Sequence, residues 1–401
     1  MTTKIIGGIL VLAAITLAIG VTYLNSDRRS EPLVFSQNRM LNVLWDRYKA
    51  EYLEPNSGRA LDKQRENITT SEGQSYSMLR AVWSDDKQTF DSSWKWTKDN
   101  LDRPDDNLFA WLFGQRSDGS YGILSDQGGM NTATDGDSDI AMALLFASAR
   151  WGDSTYYEQA KAIIADIWAK EVITINGKPY LVASSSESNS QSETAVINPS
   201  YLSPYAYRMF SEVDPGNDWG RLIDTSYEVL NISIDDKIDK ASSAGLPPDW
   251  VFINKQTGKI SPATGTNLTS NFGYDAMRTP WRLSLDWQWY QEERAQQTLK
   301  KMEFLSRQWR ENARIEAVYG HDGEVIGKYE SPAIYGGIIG YFYATDPAIA
   351  DTVYKTKLKS LYNPDTQSWK QTLGYYEDNW AWFGIALAEN KLPNLYSKEY
   401  R

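Results

Sequence analysis

Ile140-Ala141-Met142-Ala143-Leu144-Leu145-Phe146-Ala147-Ser148-Ala149 is apolar around nearly its whole circumference when wound as a helix. A helix without a polar face must be covered on every side. In a chain that is otherwise helical, this requires inner helices ringed by outer ones. The ends of the inner helices then converge on one face, where loops bring polar groups together.

The rest of the chain supplies those helices. Residues 35–53 carry Met40, Leu41, Leu44, Trp45 and Tyr48 in a stripe at helical spacing. Similar stripes cover 75–83, 90–101, 140–151, 156–168, 219–230, 280–309, 333–343, 349–361 and 379–388. With breaks inside the longest, roughly a dozen helices are predicted. Strand-like alternation is confined to 172–182 around Asn176-Gly177, which reads as one small hairpin. Residues 184–194 are polar and read as an exposed loop. No Pro-rich or Gly-rich linker divides the chain after residue 32, so 33–401 is taken as one domain.

Residues 1–32 stand apart. Positions 5–23 hold no charge and follow Lys4. That length can cross a hydrocarbon core of about 30 Å as a helix. It also fits a cleaved signal peptide, with Ala18-Ile19-Gly20 as the cleavage site. Either reading, membrane anchor or signal, places the remainder outside the cytoplasm, secreted or held at the membrane.

Composition excludes several chemistries. The 401 residues include no Cys, which removes disulfides, thiolate metal sites and a Cys nucleophile. The one histidine, His321, leaves no multi-histidine metal centre, and no G-x-S-x-G is present. A net charge of −11 repels phosphate backbones, so nucleic acid is not an expected partner. Trp (16) and Tyr (25) far outnumber Phe (11). Rings with a polar edge suit ligands that are apolar on one face and hydroxylated at the rim, and they also serve as core packing.

Three segments place carboxylates beside turn residues. Thr69-Thr70-Ser71-Glu72 fits a capping box, with Thr69 as N-cap and Glu72 reaching back. Asp135-Gly136-Asp137-Ser138-Asp139 alternates acids as a calcium loop does, but Ile140 and Phe146 stand where such a loop needs Gly and Glu. A helix N-terminus is the plainer reading, although three acids in five residues exceed what one cap needs. In Tyr274-Asp275-Ala276-Met277-Arg278-Thr279-Pro280, Thr279 reads as N-cap and Pro280 as the first helical residue. Asp275 and Arg278 then form an ion pair in the preceding loop.

Taken together, these segments resemble glycoside hydrolase family 8. The run Ala133-Thr134-Asp135-Gly136-Asp137-x-x-Ile140-Ala141-x-Ala143-Leu144-Leu145-x-Ala147-x-x-x-Trp151 fits that family's signature at every specified position. Ser71-Glu72-Gly73-Gln74-Ser75-Tyr76, Asn198-Pro199-Ser200-Tyr201 and the 274–282 segment are similar to its other active-site loops. The resemblance covers about residues 36–390 and implies an all-α fold, an (α/α)6 barrel.

It also implies an inverting glycosidase of the endo-β-1,4-glucanase kind, which needs two carboxyl groups and no metal or cofactor. Glu72 would be the general acid and Asp275 the general base, about 6.5–9.5 Å apart to admit a water. Asp135 would raise the Glu72 pKa, position the sugar and distort its ring. Arg278 would keep Asp275 ionised, and Tyr201 would hold the attacking water or Asp275. Asp137 and Asp139 are read as bracing the helix. Trp83, Trp94, Trp96, Trp111 and Trp281 are candidate stacking platforms, with Trp111 and Trp281 foremost. Chitosan, xylan and mixed-linkage glucan are alternative substrates, and a non-catalytic polysaccharide-binding accessory is the alternative class. A polysaccharide lyase fits poorly with one His and an acidic surface. No heptad seam is present, so a monomer is expected.

Overall fold

The computed structural model describes residues 39–264 and 267–400. Within them, outer and inner helices alternate along the chain. The outer helices are α1 (Arg39–Tyr52), α3 (Lys87–Leu101), α5 (Ser154–Glu171), α7 (Trp219–Asp235), the consecutive α9 (Glu293–Lys300) and α10 (Glu303–Asn312), and α12 (Pro347–Val353). The inner ones are α2 (Ser71–Trp83), α4 (Thr134–Trp151), α6 (Pro204–Val213), α8 (Arg278–Tyr290), α11 (Pro332–Thr345) and α13 (Tyr375–Ala388).

Each inner helix packs on the next: α2 on α4, α4 on α6, α6 on α8, α8 on α11 and α11 on α13. The ring closes from α13 back to α2. The Tyr76 ring meets Trp380 and Phe383 edge-on at 5.8 and 5.4 Å, and buried Arg80 bonds Asp378 and Asn379 at 3.0 Å each. α4 is buried without interruption from Thr134 to Ala147, as its lack of a polar face requires.

Polar struts cross the interior. Arg282 on α8 forks onto Asp139 of α4 at 2.9 and 2.8 Å and also bonds Ser203 and Tyr205. Arg282 therefore ties α8 to α4 through Asp139 and to the start of α6. Asp137 accepts from the Phe109 amide at 2.9 Å. Burial and the neighbouring Glu171 carboxyl raise the Asp137 pKa.

Two expectations are corrected and one helix is added. α6, which none of the stripes read in the sequence covers, is only ten residues long, opens at Pro204 and buries Tyr205, Tyr207, Met209, Phe210 and Val213. The hairpin at Val172–Ile175 and Lys178–Leu181 forms, with Asn176 and Gly177 both at positive φ. It is not alone: four further small sheets occur among the described residues, of which β1 (Thr69–Thr70), β2 (Leu112–Gln115) and β3 (Tyr121–Ile123) make one. β6 (Thr194–Ile197), β7 (Val251–Asn254) and β8 (Ile260–Pro262) make a second. Their strands are two to four residues long, too short for alternation to register. Residues 184–194 are partly anchored: Ser185 begins a short helical turn and is buried. The 5–23 stretch lies outside the described residues, and among those described no helix is long and apolar enough to cross a membrane.

Candidate active site

The N-terminal ends of the inner helices supply the site. Thr70, not Thr69, caps α2, its hydroxyl accepting from the Gly73 amide at 3.0 Å. Thr69 instead donates to the Ala60 carbonyl at 2.6 Å. Glu72 is thereby released from the capping box and stands in the first turn of α2.

α4 starts against it. A β-carbon on Gly136 would lie 2.6 Å from Ser71 Oγ and 3.0 Å from the Glu72 amide. Only glycine permits that approach, which sets Asp135 beside Glu72. α8 begins at Arg278 rather than after Thr279, with Met277 as its N-cap. Pro280 is tolerated inside because first-turn amides have no intrahelical partner. Arg278 is therefore held on a helix, and Asp275 on the turn that feeds it.

Arg278 joins the three acids. Its Nη1 donates to Glu72 at 2.5 Å and Asp135 at 2.8 Å, and its Nη2 to Asp275 at 2.5 Å. Its Nε reaches Ser200 Oγ at 3.1 Å, and the guanidinium lies over the Tyr201 ring, 5.2 Å from the centroid. The Arg278 side chain is fully buried and Asp135 is 2% exposed, whereas Glu72 and Asp275 are 23% and 31% exposed to the cleft. The two accessible carboxyls hang on opposite nitrogens of one rigid fork.

One cation cannot neutralise three carboxylates. Burial pushes the Glu72 carboxyl up to about 7, and Asp135 and Asp275 add to the rise against the pull of Arg278. Although Glu72 lies at ion-pair distance from Arg278, that cation is shared, so desolvation and the two negative neighbours prevail. Asp135 is also raised by burial, with Arg278 and Arg282 opposing. Burial raises Tyr201 too, so its phenol stays protonated and can donate.

The acids stand at the junction of two cavities. One, about 500 Å³, runs past Tyr274, Tyr375 and Tyr376. The other, about 330 Å³, runs past Trp111, Asp135 and Tyr201. Both are lined by Arg65, Thr70, Glu72 and Asp275. A chain crossing both would place its mid-point at the two exposed carboxyls.

Glu72, Asp135 and Asp275 are brought together here, as are Arg278, Tyr201 and Trp111, while Asp137 and Asp139 brace the interior away from the cleft. Trp281 is not. It is buried among Trp83, Trp380 and Phe383, with its indole N–H on the Phe383 carbonyl, because its helix turns that face inward. Trp83, Trp94 and Trp96 are likewise buried. Sequence reading missed Tyr376, whose hydroxyl donates to the Tyr274 carbonyl at 2.6 Å. It also missed Asp249 and Trp250, from a segment with no periodicity.

A ring of six helices that presents three carboxylates and one buried arginine to an open groove is the class of site these observations define. The family model of glycosyl hydrolases family 8 matches residues 32–360, and the chain belongs to that family. Endoglucanase 2 of Ruminiclostridium josui is 32% identical over 267 residues, which are 64% of this chain and 52% of that protein. The chain thus spans about half the length of that relative. Among solved structures, an endo-1,4-D-glucanase from Vibrio fischeri aligns with a TM-score of 0.72 at 25% identity, over 86% of this chain and 94% of that one. A β-1,3-1,4-glucanase from Paenibacillus sp. X4 aligns at 0.74 and 24% identity, over 90% and 94%, a likeness of fold.

Proposed function

We propose that this chain is an inverting endo-β-1,4-glucanase in which Glu72 is the general acid and Asp275 the general base. The observation that carries it is the placement of these two exposed carboxyls on opposite arms of Arg278, at the junction of the two cavities. Glu72, held protonated near neutral pH, gives its proton to the departing glycosidic oxygen. Asp275 takes a proton from a water that attacks the anomeric carbon from the opposite face. Asp135, buried beside Glu72, holds the sugar at the cleavage point and favours its distorted ring. Tyr201 holds the water, and Trp111 gives its face to a neighbouring sugar. Lining residues on both sides of the two carboxyls leave room for sugars on either side of the cleaved bond, which suits internal cleavage.

The protein acts as a monomer outside the cytoplasm, with 5–23 as anchor or signal. A β-glucan exopolysaccharide made by the same cell is a fitting substrate. The test is reducing-end release from carboxymethyl-cellulose, mixed-linkage β-glucan, xylan and chitosan, followed against pH. Activity is expected to be greatest on a β-1,4-glucan and to fall as pH rises through about 7, because Glu72 then loses the proton it must donate. Glu72→Gln serves as the inactive control. Release from chitosan or xylan alone would overturn the glucan assignment, and release from none would favour a binding protein.

A further inference from the structure

Asp249 lies in Leu246-Pro247-Pro248-Asp249-Trp250, a segment between α7 and β7 that lends no residue to the lining of either cavity. Its side chain is nonetheless committed to the site. Oδ1 alone accepts from three backbone amides of one turn: Gly273 at 3.2 Å, Asp275 at 3.1 Å and Ala276 at 2.7 Å. That turn has no side chain in the way. A β-carbon on Gly273 would stand 2.8 Å from Asp249 Oδ2. The next residue, Trp250, meets the Tyr201 ring edge-on at 5.7 Å. One short segment therefore grips both the turn carrying Asp275 and the tyrosine beside it.

We propose that Asp249 is a positioning residue for the base, its Oδ1 gathering the 273–276 turn and so fixing where the Asp275 carboxyl stands in the cleft. This rests on the reading of Asp275 as the base. Asp249 is 9% exposed, and burial, with the Asp275 charge second, pushes its carboxyl up to about 8. A neutral Asp249 accepts through its carbonyl oxygen, and an Asn side chain offers the same oxygen in the same shape.

The experiment compares Asp249→Ala, Asp249→Asn, Gly273→Ala and Asp275→Asn in the full chain. Cello-oligosaccharide kinetics, binding stoichiometry and Tm are measured for each. Freeing the turn displaces the base by a fraction of an ångström to an ångström, so Asp249→Ala is expected to lower kcat by about 100-fold. Its KM should stay within about threefold and its binding stoichiometry at one, which separates misplacement from a loss of folded protein. Asp249→Asn should recover kcat to within about fivefold. Gly273→Ala, which pushes on Oδ2 from the other side and keeps the acceptor, should lower kcat with KM little changed.

The deficit of Asp249→Ala should persist on β-cellobiosyl fluoride, since fluoride leaves without a proton and the base is still needed. Wild-type kcat in both alanine variants would overturn the proposal. So would an Asn variant as impaired as Ala, or recovery of the Ala variant on the fluoride. Wild-type turnover by Asp275→Asn would instead overturn the base assignment on which it rests.

Discussion

Asp275→Asn is expected to lower kcat on a β-1,4-glucan by about 10²–10⁴-fold, with Tm and substrate affinity close to wild type. The amide keeps the shape of the carboxylate and can still meet Arg278 Nη2 through its oxygen. It cannot take a proton from water, so the attack loses its base. Asp275 is 31% exposed and stands on a turn before α8, so no core packing is lost with its charge. Glu72→Gln should lose as much on the polymer but recover on β-cellobiosyl fluoride, whose leaving group needs no acid. Kinetics of the two variants on both substrates check this. Equal loss of both on the fluoride would contradict the division of labour.

Arg278→Leu is expected to cost about 3–5 kcal/mol of stability at pH 8 and to abolish measurable turnover. The side chain is fully buried and is the cation that Glu72, Asp135 and Asp275 share. Removing it leaves three carboxylates facing one another, and Asp135 has little access to water. Protonation relieves that repulsion, so the destabilisation should be largest at high pH and shrink as pH falls toward 5. Arg278→Lys should recover only part of either loss, because an ammonium is a point charge and cannot fork between Glu72 and Asp275. Urea unfolding at pH 8 and pH 5 gives both numbers. A destabilisation independent of pH would mean that packing, not charge, is what Arg278 supplies.

How much of this was legible in the sequence depended on the length scale of the signal. The unbroken apolar circumference of 140–147 demanded full burial, and α4 is an inner helix of a closed ring. Glu72, Asp135 and Asp275 sit on helix starts or the turns before them, where local sequence motifs are readable. The trace of α6 was hidden because a helix of only ten residues, opened by Pro204, gives too few turns for its stripe to stand out in the sequence. Trp111 and Trp281 look alike in sequence. One lines the groove and the other lies beneath it, a difference set by which way α8 faces its neighbours. Asp249 acts over 24 to 27 residues through backbone amides, which leave no side-chain pattern to read.

Direct displacement by a water that Asp275 activates while Glu72 protonates the leaving oxygen would have one stereochemical consequence. Proton NMR of cellohexaose during its first minutes of hydrolysis, before mutarotation, reports the anomer released at the cleaved bond. The new reducing ends are expected to appear as the α-anomer and only later relax toward the equilibrium mixture. Initial appearance of the β-anomer would mean a covalent intermediate, with one carboxylate acting as nucleophile, and would contradict it.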